Sequence, residues 1–202
     1  MFGLTVVTAP AIEPVTLPEA KRQCRIADSI VAFDVELNAL IIAARRYCEI
    51  ATGKAFITQT LRLTLDRFPG WRDEHTIRLP RGPLQTVSSI QYTDSAGVTQ
   101  TVAAASYVVD ASGEVGRVAL ADGYEWPTDA IEQIAAVKVN YVAGYGLTAA
   151  SVPQTIRQAM LLLIGHWFAN KEAVGAASKE IEFSVSALLG CEWTGSLAGA
   201  YG

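Results

Sequence analysis

The chain is poor in the residues that most often mark a chemical site. It has two histidines and three cysteines in 202 residues. Cys24, Cys48 and Cys191 stand far apart, with no CxxC pair. That excludes a disulfide framework and fits a reduced intracellular setting. His75 lies in the polar turn WRDEHT and His166 on a nearly apolar helical stretch. Neither has a Cys, Asp or Glu at ligand spacing, so no metal and no cofactor are expected. Charge is also scarce, at 18% of residues with a formal net charge of −4. This balance gives no general drive toward nucleic-acid phosphates. The apolar run 159–168 falls well short of the roughly 20 residues that a membrane-spanning helix needs. The opening MFGLTVVTAPAIEP has no basic stretch before Glu13 and Pro14, so no secretory signal is expected. The sequence reads as soluble and cytosolic.

Apolar side chains, by contrast, are abundant at half of the chain, enough for a sizeable core in one large domain or two small ones. Their spacing organises the molecule around 151–172, SVPQTIRQAMLLLIGHWFANKE. Ser151 with Gln154 three residues on reads as a helix start, and Pro153 suits a first turn. Ile156, Ala159, Met160, Leu163, Trp167 and Phe168 then recur at three- and four-residue spacing. Leu161, Leu162 and Ile164 make most of the helix apolar, which predicts a central helix covered on several sides.

Residues 1–15 read as extended. Thr16, Pro18 and Glu19 repeat the helix-start pattern and predict a short helix to about Ile26, with Lys21, Arg22 and Arg25 on its solvent side. Asp34 reads as the cap of a second helix, in which Leu37, Leu40, Ile41, Ala44, Tyr47, Cys48 and Ala51 keep helical spacing. Gly53 is placed to end it in a left-handed conformation. Beyond Gly53 the period drops to two, as Leu61, Leu63 and Leu65 alternate with Arg62 and Thr64. Further short strands are expected around 76–79, 87–93, 98–102, 107–110, 116–120 and 137–141. Close turn signals between them indicate an antiparallel sheet or small sandwich. Residues 173–180 are small and polar and read as a joint. Ile181, Phe183, Val185, Leu188 and Leu189 then form a short amphipathic segment.

Each candidate for chemistry has a plainer reading. Thr52-Gly53-Lys54 lacks the glycine and the hydroxyl that a phosphate loop requires, since Cys48 and Ala55 stand there; a helix cap explains it. Gly144-Tyr145-Gly146 lacks the third glycine of a dinucleotide fingerprint and reads as a strand-to-helix turn. Carboxylates gather between 110 and 132: Asp110, Glu114, Asp122, Glu125, Asp129 and Glu132 against the single Arg117. They would serve as a solvated acidic loop, as a hydrolase pair, or as a negative surface to which passing DNA does not adhere. Lys21, Arg22, Arg25, Arg45 and Arg46 would form a basic patch if the first two helices are neighbours, which makes a DNA-binding module an alternative. Trp71, Trp126 and Trp193 fall in loop-like or terminal segments, as core residues or as interface aromatics.

Taken together, VTLPEAKRQCRI, LIIAARRYCEIATGKAFITQTLRLTLDRFP, IRLPRGPLQTVSSIQYTDSAG, VNYVAGYG and VPQTIRQAMLLLIGHWFANKE resemble, in order and spacing, the head–tail connector (adaptor) proteins of tailed phages. The match is to their longer subfamily, found also in prophages and gene-transfer agents, and spans about residues 15–172. After Leu188-Leu189 the chain runs Gly190-Cys191-Glu192-Trp193, where similar proteins carry a Pro- and Arg-containing segment. The resemblance implies an α+β fold, a small helical bundle with an inserted antiparallel β-sheet section, which the change of period near Gly53 suggests independently. It implies no enzymatic activity. It implies copies joined in a dodecameric ring on the portal protein, extending the DNA channel and offering a platform to a tail-side connector or stopper. The protein would act in the host cytoplasm during assembly and then in the neck of a virion or gene-transfer-agent particle.

The expected organisation is a helical core from 1–55 and 150–172, a β-rich insertion at 56–149 and a flexible tail at 173–202. Ile181, Phe183, Leu188, Leu189 and Trp193 of that tail are the candidate docking residues, ordering on contact with a partner. Deleting everything after Lys171 is expected to leave the core folded.

Overall fold

Side chains on a strand point alternately to opposite faces, so Leu61, Leu63 and Leu65 share a face that Arg62 and Thr64 do not. In the computed structural model of the protein, which describes residues 2–70, 76–127, 133–170 and 177–192, those three leucines are buried. The chain divides into two units, Met1–Ala9 with Thr58–Gly144 and Pro10–Ile57 with Tyr145–Gly195. The first holds the strands: β1 (Phe2–Thr8), β2 (Gln59–Leu65), β3 (Thr76–Leu79), β4 (Leu84–Thr93), β5 (Thr99–Thr101), β6 (Tyr107–Asp110), β7 (Gly116–Leu120) and β8 (Val137–Ala143). The second holds four helices: α1 (Leu17–Gln23), α2 (Asp34–Thr52), α3 (Gln154–Ala169) and α4 (Ala177–Gly190). The fold is therefore α+β, with two antiparallel sheets.

The larger sheet runs β1-β2-β8-β4-β5. Its register sets Leu63 opposite Val139, and Val139 opposite Ile90, a row of three fully buried side chains. One residue along, on the other face, Arg62 donates to the Asn140 side-chain oxygen at 2.8 Å, and the Asn140 amide donates to Ser89 at 2.9 Å. Apolar burial and polar cross-strand pairs thus agree on one register, which a one-residue slip would invert. The second sheet runs β3-β7-β6. Gly116 opens β7 where an added Cβ would lie 2.4 Å from Leu84 Cδ2, so only glycine fits. Tyr141 is wholly buried and its hydroxyl donates to the Pro80 carbonyl at 2.5 Å. Phe68 stacks on Trp126 at 4.9 Å, which settles Trp126 as a core residue with 5% exposure.

The helical unit closes around Leu37, Ile41, Ala44, Cys48, Ile156, Ala159, Met160, Leu163 and Ile164, with Val185 and Leu189 from α4. Trp167 and Phe168 pack partly buried at its border, edge-on to Tyr47 and Phe33. The Thr16–Glu19 capping box forms as expected, and Gly53 ends α2 at φ 69°. Burial alone would raise the Glu19 pKa, but hydrogen bonds from Thr16 and Arg157 outweigh it and hold the carboxyl below its ordinary value.

Several expectations are corrected. Ser151 does not cap α3: the helix begins at Gln154, after a short 3₁₀ turn. Val152, as the residue before a proline, is pushed out of helical geometry into an extended one. Asp34 is the first residue of α2 rather than its cap, and its carboxylate lies 2.6 Å from the Lys21 ammonium. Lys21 is accordingly buried, not on a solvent side. Residues Phe2–Thr8, expected with the helical core, form a strand paired to β2. Ala177–Gly190, expected within a flexible tail, is a helix with Val185 at 1% and Leu189 at 4% exposure. Its apolar spacing is that of a helix with a buried face.

The three thiols differ sharply in environment. Burial, with the Glu49 charge beside it, pushes the Cys48 pKa up to about 12, and burial also raises Cys24. Cys191 is exposed. Because the thiolate is the reactive form, iodoacetamide at pH 8 should alkylate folded protein at Cys191 alone, read by peptide mass. Labelling of Cys48 at a comparable rate would mean that the helical core is open.

Candidate protein interface

Of the acidic residues, Asp110 closes the β6–β7 turn against Arg117, 2.5 Å from its guanidinium. The Ser112 hydroxyl first, and Arg117 next, hold the Asp110 carboxyl well below the usual carboxylate range. Glu114, Asp122 and Glu125 are exposed, while Asp129 and Glu132 lie outside the described residues. Among the described residues no group of three His, Cys, Asp or Glu is arranged to hold a metal ion. An acid/base pair needs two carboxylates converging on one reacting atom; Asp110 is already committed to Arg117. The hydrolase reading gains nothing from this arrangement. His166 is partly buried near the end of α3, its Nδ1 3.1 Å from the Asn170 amide. His75, Trp71 and Trp193 lie outside the described residues.

The basic set divides. Lys21 and Arg45 are buried, while Arg22, Arg25 and Arg46 are exposed. Arg45 Nε donates to Glu13 at 2.7 Å and Nη1 donates to Glu49 at 2.9 Å. The second Glu49 oxygen accepts the Phe56 N–H at 3.1 Å. Burial would lower the Arg45 pKa, but the two carboxylates outweigh it and raise it. With two of the five cations consumed inside the unit, the DNA-binding reading loses the patch it needs.

The C-terminal segment is held by both apolar and polar contacts. Leu189 is buried and Leu188 packs partly buried against the helical core, whereas the side chains of Ile181 and Phe183 lie outside the described residues. Just past α4, Glu192 accepts from Thr155 Oγ1 at 2.9 Å and from the Tyr145 hydroxyl at 3.4 Å, with Lys54 Nζ 3.7 Å away. Lys54 is 5% exposed, and its ammonium also lies over the Tyr145 ring at 5.9 Å. Burial raises the Tyr145 pKa despite the neighbouring Lys54 charge. The sequence reading missed this latch because Lys54, Tyr145 with Thr155, and Glu192 come from three distant stretches.

It also missed a second apolar face on α2. Val35, Ile42 and Ile50 are 85%, 44% and 69% exposed, and Val31 in the preceding turn is 72% exposed. The signal was available, since these residues fall outside the Leu37–Ile41–Ala44–Cys48 stripe yet on a common side of the helix. No helix among the described residues is long and apolar enough to cross a membrane. Exposed aliphatic surface of this extent marks a contact surface.

No family model and no curated protein matches the chain. Solved structures do. A chain from the neck of an empty gene transfer agent (GTA) particle, computed with C6 symmetry, superposes with a TM-score of 0.81 at 25% identity, covering 99% of this chain and 100% of that one. A chain from the virion of a native GTA particle gives 0.78 at 27% identity over 97% of both. A third, from the neck of a native GTA particle computed with C12 symmetry, gives 0.73 at 27% identity, over 99% of this chain and 100% of that one. Along nearly its whole length, then, this chain is similar to gene-transfer-agent particle and neck components, and the head–tail connector resemblance read in its sequence is borne out by them.

Proposed function

We propose that the protein is a structural head–tail connector: copies form a ring on the portal, extend the DNA channel and carry the attachment platform for the tail. The observation that carries this reading is the end-to-end match, at a TM-score of 0.81, to a chain of a GTA neck. In this reading the four helices make a small helical bundle with the two sheets as its inserted section, and the work is done by interfaces with no catalytic step. The C12 and C6 symmetries of the similar necks support a closed ring of copies, dodecameric in the fuller case, in which heterologous contacts close by rotation. The partners are the portal protein above, neighbouring copies at the sides and a tail-side connector or stopper below. The protein works in the host cytoplasm during assembly and then in the particle neck.

The exposed carboxylates Glu114, Asp122 and Glu125 support a channel wall that DNA passes without adhering, because like charge repels the phosphates. Ile181, Phe183, Leu188 and Trp193 are the portal-docking residues; Leu189 is taken up by the core and drops from that set. The test is negative-stain microscopy of this protein mixed with the portal protein encoded near it. The expected result is a ring of added density coaxial with the portal. Intact portals with nothing added, at high concentration of both proteins, would sink the reading.

A further inference from the structure

Within its own unit α2 uses one of two apolar faces. Leu37, Ile41, Ala44 and Cys48 are buried in the core. At about 100° per residue, Val35, Ile42 and Ile50 fall within an arc of roughly 80° on the side away from them. Ala39 and Ala43 lie on the same exposed side, and so does Arg46, which has no ion-pair partner among the described residues. From Val35 to Ile50 this edge is about 22 Å long. A helix face that stays in water is ordinarily charged or polar; this one is aliphatic with a single cation in its middle.

We propose that this outer face of α2 is one of the two side surfaces through which neighbouring copies of the chain pack in the ring. The inference rests on the connector reading and names its contact. A second copy is the occupant because the similar necks are rotationally symmetric. Rotation gives every copy a neighbour on each side and requires two different side surfaces per copy. The chemistry fits: aliphatic side chains meet aliphatic ones, and Arg46 meets a carboxylate of the next copy, of which the chain has an excess. A residue such as Ile42 near the middle of the edge is where truncation or charge should cost most.

The test uses the full chain in particles made from the surrounding gene set. With a benzophenone side chain in place of Ile42, irradiated particles should yield an adduct of twice the chain's mass, and peptide mapping should find this same chain on both sides. Ile42→Glu should lower the particle-bound amount at least tenfold, while Ile42→Val retains it. Since Ile42 is 44% exposed, the thermal midpoint of the isolated I42E protein should stay within about 2 °C of wild type. An adduct with any other polypeptide, incorporated protein that gives no adduct, or normal incorporation of I42E would each overturn the assignment while leaving the connector reading in place. Absence of the wild-type chain from particles would overturn both.

Discussion

Replacing Arg45 by alanine is expected to destabilise the helical unit by about 3–5 kcal/mol, the cost of breaking a buried ion pair by removing one partner. Arg45 is 8% exposed and Glu49 2%. Without the guanidinium, the Glu49 carboxylate keeps the Phe56 N–H among its partners but loses the Arg45 charge at a buried site. Glu13, whose side chain is 26% exposed, turns to solvent at little cost. The loss is therefore dominated by the Glu49 side of the pair, where the lost attraction is buried. Thermal unfolding followed by circular dichroism should show a midpoint lowered by about 10 °C. The double replacement Arg45→Met with Glu49→Met should regain most of that, because apolar residues of similar volume often match or exceed a buried pair. An R45A midpoint within 2 °C of wild type would mean that the pair contributes nothing.

Deleting residues 172–202 is expected to cost about 4–6 kcal/mol, contrary to the view that the core stands without them. Each buried aliphatic side chain contributes about 1.5–3 kcal/mol, and the deletion removes both Val185 and Leu189 from the core cluster. It also uncovers the surface of α3 that α4 covers and takes Glu192 away from Lys54 and Thr155. Leu189→Ala alone should cost about 2–5 kcal/mol, since collapse around the lost volume is incomplete. Urea denaturation of the truncated protein should show a markedly lower midpoint; an unchanged one would show that α4 packs without stabilising. It follows that loss of particle attachment by this truncation would not isolate a docking role. Replacing Trp193, beyond the Glu192 latch, is the cleaner probe.

Alternation located β2 and β8 because period-2 burial is written locally, each apolar residue reporting its own face, and turn signals located β3 to β7 to within a few residues. The same holds for the capping box at Thr16 and the left-handed stop at Gly53, which depend on neighbours in sequence. The stripes of α2 and α3 were legible for the same reason, as was the connector resemblance, carried by ordered segments along the chain. Strand order was not legible, because β2 pairs with β1 and β8, partners more than 50 residues away on one side and more than 70 on the other, and pairing partners leave no local trace. Nor was the fate of individual charges. Lys21, Asp34, Arg45 and Glu49 look like a helix surface until packing brings counter-charges within 3 Å. The elements, the Thr16 and Gly53 helix ends and the mixed α+β class are written in the sequence, since propensity and periodicity act over a few residues. That a second apolar face of α2 stays exposed and that α4 belongs to the core came from tertiary packing, because burial depends on what the rest of the chain brings alongside.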